Sequence, residues 1–349
     1  MRPERVHPGR PIRSSFEGAV VARDLAVAGE RWPKGRRLSA ADLARLASAD
    51  PSVAPDGVTL LILEPGDVHE DEAALRLAAA VGGEGLTPRG PSQSRVDLVA
   101  ATAGVVHVRV DVLERLNRLD PLEVFTAFDG SIVDAGDLVA SVKIAPHVVD
   151  EATLARAEQV ASRGAKVVSV APFVARRVAV VVKESIHAPA RERFEASVRA
   201  KVESLGSCVV SFDYVADEAN AVEASLAAAA RGPDAVDLVL TAGGGSTDPS
   251  DAFFVALHRL GGRVVRRGVP AHPGSMLWLA RLGRAAVLGL PTCGAYSKAT
   301  AADLLLPRLL AGEPATAATV ARLGHGGILT RDQRFRFPRY ARDLDAPDG

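Results

Sequence analysis

The run Leu238-Val-Leu-Thr-Ala-Gly-Gly-Gly-Ser-Thr-Asp-Pro-Ser-Asp251 holds the densest set of residue types able to handle an anion. An apolar strand ends at Thr241, the glycines Gly243, Gly244 and Gly245 follow, and a helix is expected to open near Asp251. Glycines let backbone N–H groups turn toward a ligand without a Cβ in the way, and the N-terminus of the next helix favours negative charge. The hydroxyls of Ser246 and Thr247 add donors. No Gly-Lys-Ser/Thr follows, so this is not a nucleotide-binding P-loop. A glycine turn of this kind can also do no more than join strand to helix.

Carboxylates stand beside it. Asp251 reads either as the cap of its helix or as a group that positions a metal or a Mg-nucleotide next to a phosphate. Asp217, in Val215-Ala-Asp-Glu218, follows the preceding strand. In a parallel sheet its loop opens on the same edge as the glycine turn, so Asp217 is either an N-cap or a second carboxylate of the cleft. Two further loops complete the set: Val269-Pro-Ala-His-Pro-Gly-Ser275, and Leu288-Gly-Leu-Pro-Thr-Cys-Gly294 leading to Ser297 and Lys298. Lys298 could neutralise a phosphate or stand as a surface lysine, and Cys293 is given no chemistry. Upstream, Gly66-Asp-Val-His-Glu-Asp-Glu72 complements a helix dipole, unless His69 and a carboxylate converge on a metal. Arg95 is a lone candidate for phosphate contact, or a surface residue.

The elements that must position these groups alternate strictly after Arg177. Strands are expected at Val178–Val182, Val209–Tyr214, Leu238–Leu240, Val264–Val265 and Ala286–Leu290. Helices are expected near Ala190–Leu205, Asn220–Ala230, Asp251–Leu260 and Ser297–Leu310. Such alternation predicts a parallel sheet covered on both faces, with ligands off the carboxyl ends of the strands. The first half is mixed. Ser39 should cap a helix after the Pro33-Lys34-Gly35 turn, a strand is expected at Val58–Leu63 and a helix at Glu70–Val81 stopped by Gly82-Gly83. Val124–Ile144, with turns at Asp129-Gly130 and Ala135-Gly136, predicts a small barrel or half-barrel. The expected division is a loose N-terminus over 1–15, an α+β region over 16–172, the α/β domain over 176–312, and an extension over 313–349 whose charged tail from Thr330 is peripheral.

Bulk properties narrow the class. At 349 residues and 48% hydrophobic the chain can bury about two cores. With 42 basic and 42 acidic side chains it lacks the excess of positive charge expected of a nucleic-acid protein. Cys208 and Cys293 are its two cysteines, too few for a disulfide framework, and a reduced compartment is expected. The first residues carry no apolar run like a leader, and no stretch is long and apolar enough for a membrane span. A cytoplasmic protein is the expectation.

The order of the pieces YVADEANAVEASL, TAGGGSTDPSD (with Asp eight residues after the first Gly), HPGS and GLPTCGAYSK resembles the molybdenum-cofactor biosynthesis domain over Arg177–Gly312. That domain is shared by molybdopterin adenylyltransferases and molybdopterin molybdenumtransferases. The GDVHEDEAA and AGDLVASVKIAP passages are similar to the N-terminal region of molybdopterin-binding proteins sometimes fused to a cytidylyltransferase-like domain. The resemblance implies a three-layer α/β/α domain preceded by an α+β region with a small barrel-like subdomain. It implies molybdopterin, possibly nucleotide-linked, as ligand, with Mg2+ and molybdate. Contacts would come from Thr241, Gly243, Gly244, Gly245, Ser246, Thr247, Pro273, Gly274, Ser275, Pro291 and Lys298, and Asp217 and Asp251 would be the catalytic and metal-handling pair. It further implies a homo-oligomer and a molybdenum enzyme or nucleotidyltransferase as partner. Three functions compete: an enzyme of molybdenum insertion or nucleotide transfer, a non-catalytic carrier for a molybdenum hydroxylase, and a CinA-like pyrophosphatase or amidase. The carrier is suggested by departures from the family pattern: Ala-Gly-Gly-Gly-Ser at the bend, Ser275 for a lysine, and Leu290-Pro291-Thr292 for Leu-Pro-Gly.

Overall fold

Arg177-Val-Ala-Val-Val-Val182 is apolar at every position after its arginine, the composition of a strand buried on both faces. In the computed structural model, which describes residues 1–183, 188–244, 247–290 and 299–342, it forms β1 (Arg177–Val182), an inner strand of a six-stranded sheet. Alternate residues face opposite layers. Val178, Val180 and Val182 pack with Phe194, Val198 and Val202 of helix α1 (Ala188–Glu203). Ala179 and Val181 pack with Val222 and Leu226 of α2 (Ala219–Ala230) and with Phe253 and Leu257 of α3 (Ala252–Arg259). Helix α4 (Ala302–Leu310) joins the α1 layer. This is the three-layer arrangement expected.

The other strands are β2 (Cys208–Tyr214), β3 (Leu238–Ala242), β4 (Arg263–Arg267), β5 (Trp278–Leu282) and β6 (Ala285–Leu290), in the order β2-β1-β3-β6-β5-β4. Four strands, β1, β2, β3 and β6, are parallel. The expectation of a wholly parallel sheet is corrected at one side, where β5 runs antiparallel to both β6 and β4. Met276-Leu-Trp-Leu-Ala-Arg-Leu-Gly283 is absent from the strands expected from sequence, but its apolar residues pair with β6 through a tight turn at Gly283, φ 59°. Trp278, fully buried, lies flat enough on β6 that Gly289 has no space for a side chain.

The chain divides into two compact units, one of residues 1–101, 107–129 and 135–170, the other of 102–106, 130–134 and 171–349. In the first, the N-terminus is not loose as expected: Arg2–Val6 pairs antiparallel with Val58–Ile62, which supplies its backbone groups with partners. Ser39 caps the helix Ala40–Ala47 in a reciprocal box with Asp42, and a helix spans Glu70–Val81. The expected barrel-like stretch takes the form of a four-stranded antiparallel sheet, ordered Leu122–Thr126, Leu138–Ile144, Arg95–Ala100, Leu86–Ser92. Its last two strands form a hairpin through Gln93 and Ser94, both at positive φ (50° and 62°), a turn that Gln-Ser does not announce in sequence. In the second unit, the tail from Thr330 is not peripheral throughout, since Phe337 and Ala341 are buried in the α1-side core. No helix among the described residues is long and apolar enough to cross a membrane.

Candidate functional site

Parallel strands ending side by side bring their following loops together, and here those loops follow β1, β2 and β3. The residue after β1 is Lys183, whose N–H donates to the carbonyl of Ala242 at the end of β3 (3.1 Å). Its ammonium gives one hydrogen bond to Asp217 Oδ1 at 2.7 Å and stands 2.9 Å from Asp251 Oδ2. The two aspartates singled out from sequence therefore meet, and they meet on a lysine that is not among the residues expected at the site. Its signal in sequence is a single cation ending an all-apolar strand on the ligand edge of the sheet.

The three groups differ in exposure. The Lys183 side chain is 5% exposed and that of Asp251 9%, whereas Asp217 is 63% exposed. Burial opposes the charge on Lys183, but the hydrogen bonds it donates to Asp217 and Asp251 outweigh that and raise the ammonium above the ordinary lysine range. The ring of Phe253 lies 5.6 Å from the same nitrogen. Asp251 takes the capping role, Oδ1 accepting the Phe253 N–H at 2.9 Å at the start of α3, while its Oδ2 faces the Lys183 ammonium. Asp217 is not a cap, since α2 follows Glu218 and takes no side-chain cap bond. Asp248 accepts from the Ser250 hydroxyl (2.6 Å) and N–H (2.8 Å), which together with nearby Lys183 hold its carboxyl below the usual range.

The glycine bend forms the wall beside this cluster. Gly243 has φ 91°, a conformation open to glycine, and Gly244 is confined: a Cβ there would stand 2.8 Å from Phe253 and 3.1 Å from Asp251 Oδ2.

Residues 177–311 match the family model described as "Probable molybdopterin binding domain". The second unit thus carries a domain of the molybdenum-cofactor biosynthesis family. Solved structures similar to the chain include the molybdopterin biosynthesis enzyme MoaB of Thermus thermophilus, at 20% identity, with 40% of this chain and 99% of that one covered and a TM-score of 0.30. A molybdenum cofactor biosynthesis protein B is 17% identical over 44% of this chain and 93% of its own, with a TM-score of 0.28. The molybdopterin biosynthesis moea protein from Pyrococcus horikosii is 16% identical over 74% and 81%, with a TM-score of 0.30. No curated protein matches the chain.

Within this molybdopterin-binding domain the remaining expected residues fall into three groups. Thr241 is 1% exposed, its side chain drawn into the β3 layer, while Thr247 and Ser275 are exposed. The loop holding Pro273, Gly274 and Ser275 leaves β4 and returns as β5, and the pairing of Trp278 with Gly289 puts it on the same sheet edge as the glycine bend. Its Pro273 carbonyl accepts from the Ala301 N–H, and Gly274 (φ 111°) would clash with Ala301 if it bore a Cβ, so the pair also braces the start of α4. Gly245, Ser246, Pro291 and Lys298, with Cys293, lie outside the described residues.

No group of three or more His, Cys, Asp or Glu among the described residues is placed to hold a metal ion. In the first unit, His69 accepts from Asp71 N–H at 3.2 Å, which caps the Glu70–Val81 helix, and bonds the Gly35 carbonyl at 2.8 Å, while Glu70, Asp71 and Glu72 stand in the first turn of that helix. Arg95 is paired with Asp97 at 2.6 Å and donates to the Ser141 hydroxyl at 3.1 Å.

Proposed function

We propose that the chain binds molybdopterin, alone or joined to a nucleotide, and assists molybdenum insertion or nucleotide transfer on it. The observation that carries this reading is the meeting of Asp217 and Asp251 at Lys183 beside the glycine bend, within the residues that match the family model. An anionic group arriving there meets the amides of the bend and the end of α3, worth about 0.3–1 kcal/mol for a helix N-terminus. Lys183 adds a buried positive charge. Asp217, the most exposed of the three, is the carboxylate able to reach a bound ligand and take or return a proton. By resemblance, Gly243 to Ser246 would hold the pterin phosphate, and Pro273-Gly274 and Pro291 to Gly294 would shape the far wall.

The Mg2+ implied by resemblance is a separate matter. A bridging Mg2+ needs oxygens at about 2.0–2.1 Å, and the place between Asp217 Oδ1 and Asp251 Oδ2 is held by the Lys183 ammonium. The residues as arranged do not fit a bridging divalent ion, and no step is assigned to one.

The experiment is molybdate-dependent turnover of the Asp217→Ala and Asp251→Ala variants. Loss in both is expected, and unchanged turnover in both removes the enzymatic assignment. The second reading, a carrier that hands the pterin to a molybdenum enzyme, is favoured by the departures from the family pattern at Ala242-Gly-Gly-Gly-Ser246, Ser275 and Leu290-Pro291-Thr292. Tight pterin binding with neither transfer nor insertion would select it. Association with further copies of the chain is expected under either reading.

A further inference from the structure

We infer that Lys183 is the built-in cation of this site, so that the site takes the anionic, phosphate-bearing end of its ligand without a divalent ion. The inference rests on the proposed reading for the ligand's identity but not for the geometry. Two carboxylates on one sheet edge are the usual donors for Mg2+ or Mn2+. Here they converge on one nitrogen, 2.7 Å from Asp217 and 2.9 Å from Asp251. An ammonium has three N–H donors and no acceptor, so it meets both carboxylates and retains a donor for a ligand oxygen. A metal entering between the oxygens would face a full positive charge within contact distance.

The arrangement is also anchored. Lys183 follows directly on β1, its side chain is buried to 5% exposure, and its backbone is hydrogen-bonded to β3. Asp251 is fixed by capping α3, whereas Asp217 sits in the loop between β2 and α2 and is 63% exposed. Asp217 is thus the exchangeable partner: a phosphate oxygen can take its place at Lys183 while Asp251 stays. A lysine held in this way selects for charge on the ligand rather than for a metal complex of it.

The test is a titration of the full chain with Mn2+, followed by electron paramagnetic resonance, for the wild type, Asp251→Asn, Lys183→Met and Lys183→Met/Asp251→Asn. The wild type should show no saturable site that depends on Asp251. Lys183→Met should gain one, at least about tenfold tighter, from relief of charge repulsion at contact distance even in a water-like dielectric. Adding Asp251→Asn should abolish the gain. A stoichiometric wild-type Mn2+ site lost in Asp251→Asn alone would overturn the inference. So would a folded Lys183→Met variant, judged by circular dichroism, that gains no site. Should Lys183→Met fail to fold, the wild-type and Asp251→Asn titrations still decide. Molybdopterin binding measured on the same wild-type preparation separates the two readings: binding with metal-free protein keeps both, binding only with added Mn2+ sinks this one, and no binding sinks the proposed ligand alone.

Discussion

Gly244→Ala isolates the packing of the bend from its conformation. Gly244 does not need a positive φ, so an alanine there meets steric rather than backbone strain. Its Cβ would lie 2.8 Å from Phe253 Cδ2, 3.2 Å from Phe253 Cε2 and 3.1 Å from Asp251 Oδ2. Phe253 cannot swing away, because it is fully buried and packed against Trp278 with ring centroids 5.9 Å apart. The ring must shift, an overpacking cost of about 1–3 kcal/mol, while Asp251 Oδ2 gives way slightly and Oδ1 keeps its cap on α3. The variant should therefore lose about 1–3 kcal/mol, or roughly 2–12 °C in Tm for a unit of this size. Differential scanning calorimetry measures it, with Gly261→Ala as a control for positive-φ glycine at an open surface turn. Gly244→Ala with an unchanged Tm and unaltered capping would refute the steric argument, because it would mean that Phe253 is free to move.

Lys183→Met should destabilise the second unit by about 3 kcal/mol, the low end for breaking a buried pair, since Asp251 keeps its helix amide while losing its counter-ion; Lys183→Met/Asp251→Asn should recover part of the loss in urea unfolding. Because Lys183 is raised in the folded protein, its contribution is fully present below about pH 10.5 and fades as pH climbs through the raised value. The wild type should therefore lose stability more steeply than Lys183→Met in the alkaline range, and parallel curves would contradict this. In the first unit, hydrogen bonds from Arg36 and Arg45 draw the Glu30 carboxyl down to about 2. Its contribution holds above pH 4.5 and disappears as pH falls through about 2, so a Glu30 side-chain titration by NMR with a midpoint near 4.5 would show the pairs are not made in solution.

How much of this is legible in the sequence follows from which forces act locally. The β1 valines, the Ser39 box and the Glu70–Val81 helix are readable because their patterns are periodic or capped within a few residues. Strand β5 is not, because its partner is its neighbour across Gly283, and an apolar run beside another can be a loop, a strand or a buried turn until the pairing is known. The N-terminal strand is hidden for a related reason, since Arg2-Pro-Glu-Arg-Val6 has no alternation and takes its strand form by pairing with the distant Val58–Ile62. At the site, the aspartates are marked by their place after strands, while Lys183 is not: one lysine after five apolar residues has meaning only once three strands are known to end together. Phe337 and Ala341 are likewise concealed in a charged tail whose anchors are few.

Everything proposed for the site turns on its ligand, and mass spectrometry of what the full-length protein releases on denaturation, after purification from a cofactor-producing host, addresses it most directly. A pterin dithiolene, with or without nucleotide and molybdenum, is the predicted result, diminished in Asp251→Ala. A protein that carries no pterin from such a host, and takes none up when it is supplied, would contradict the assignment of the glycine bend and its lysine-linked aspartates to molybdopterin.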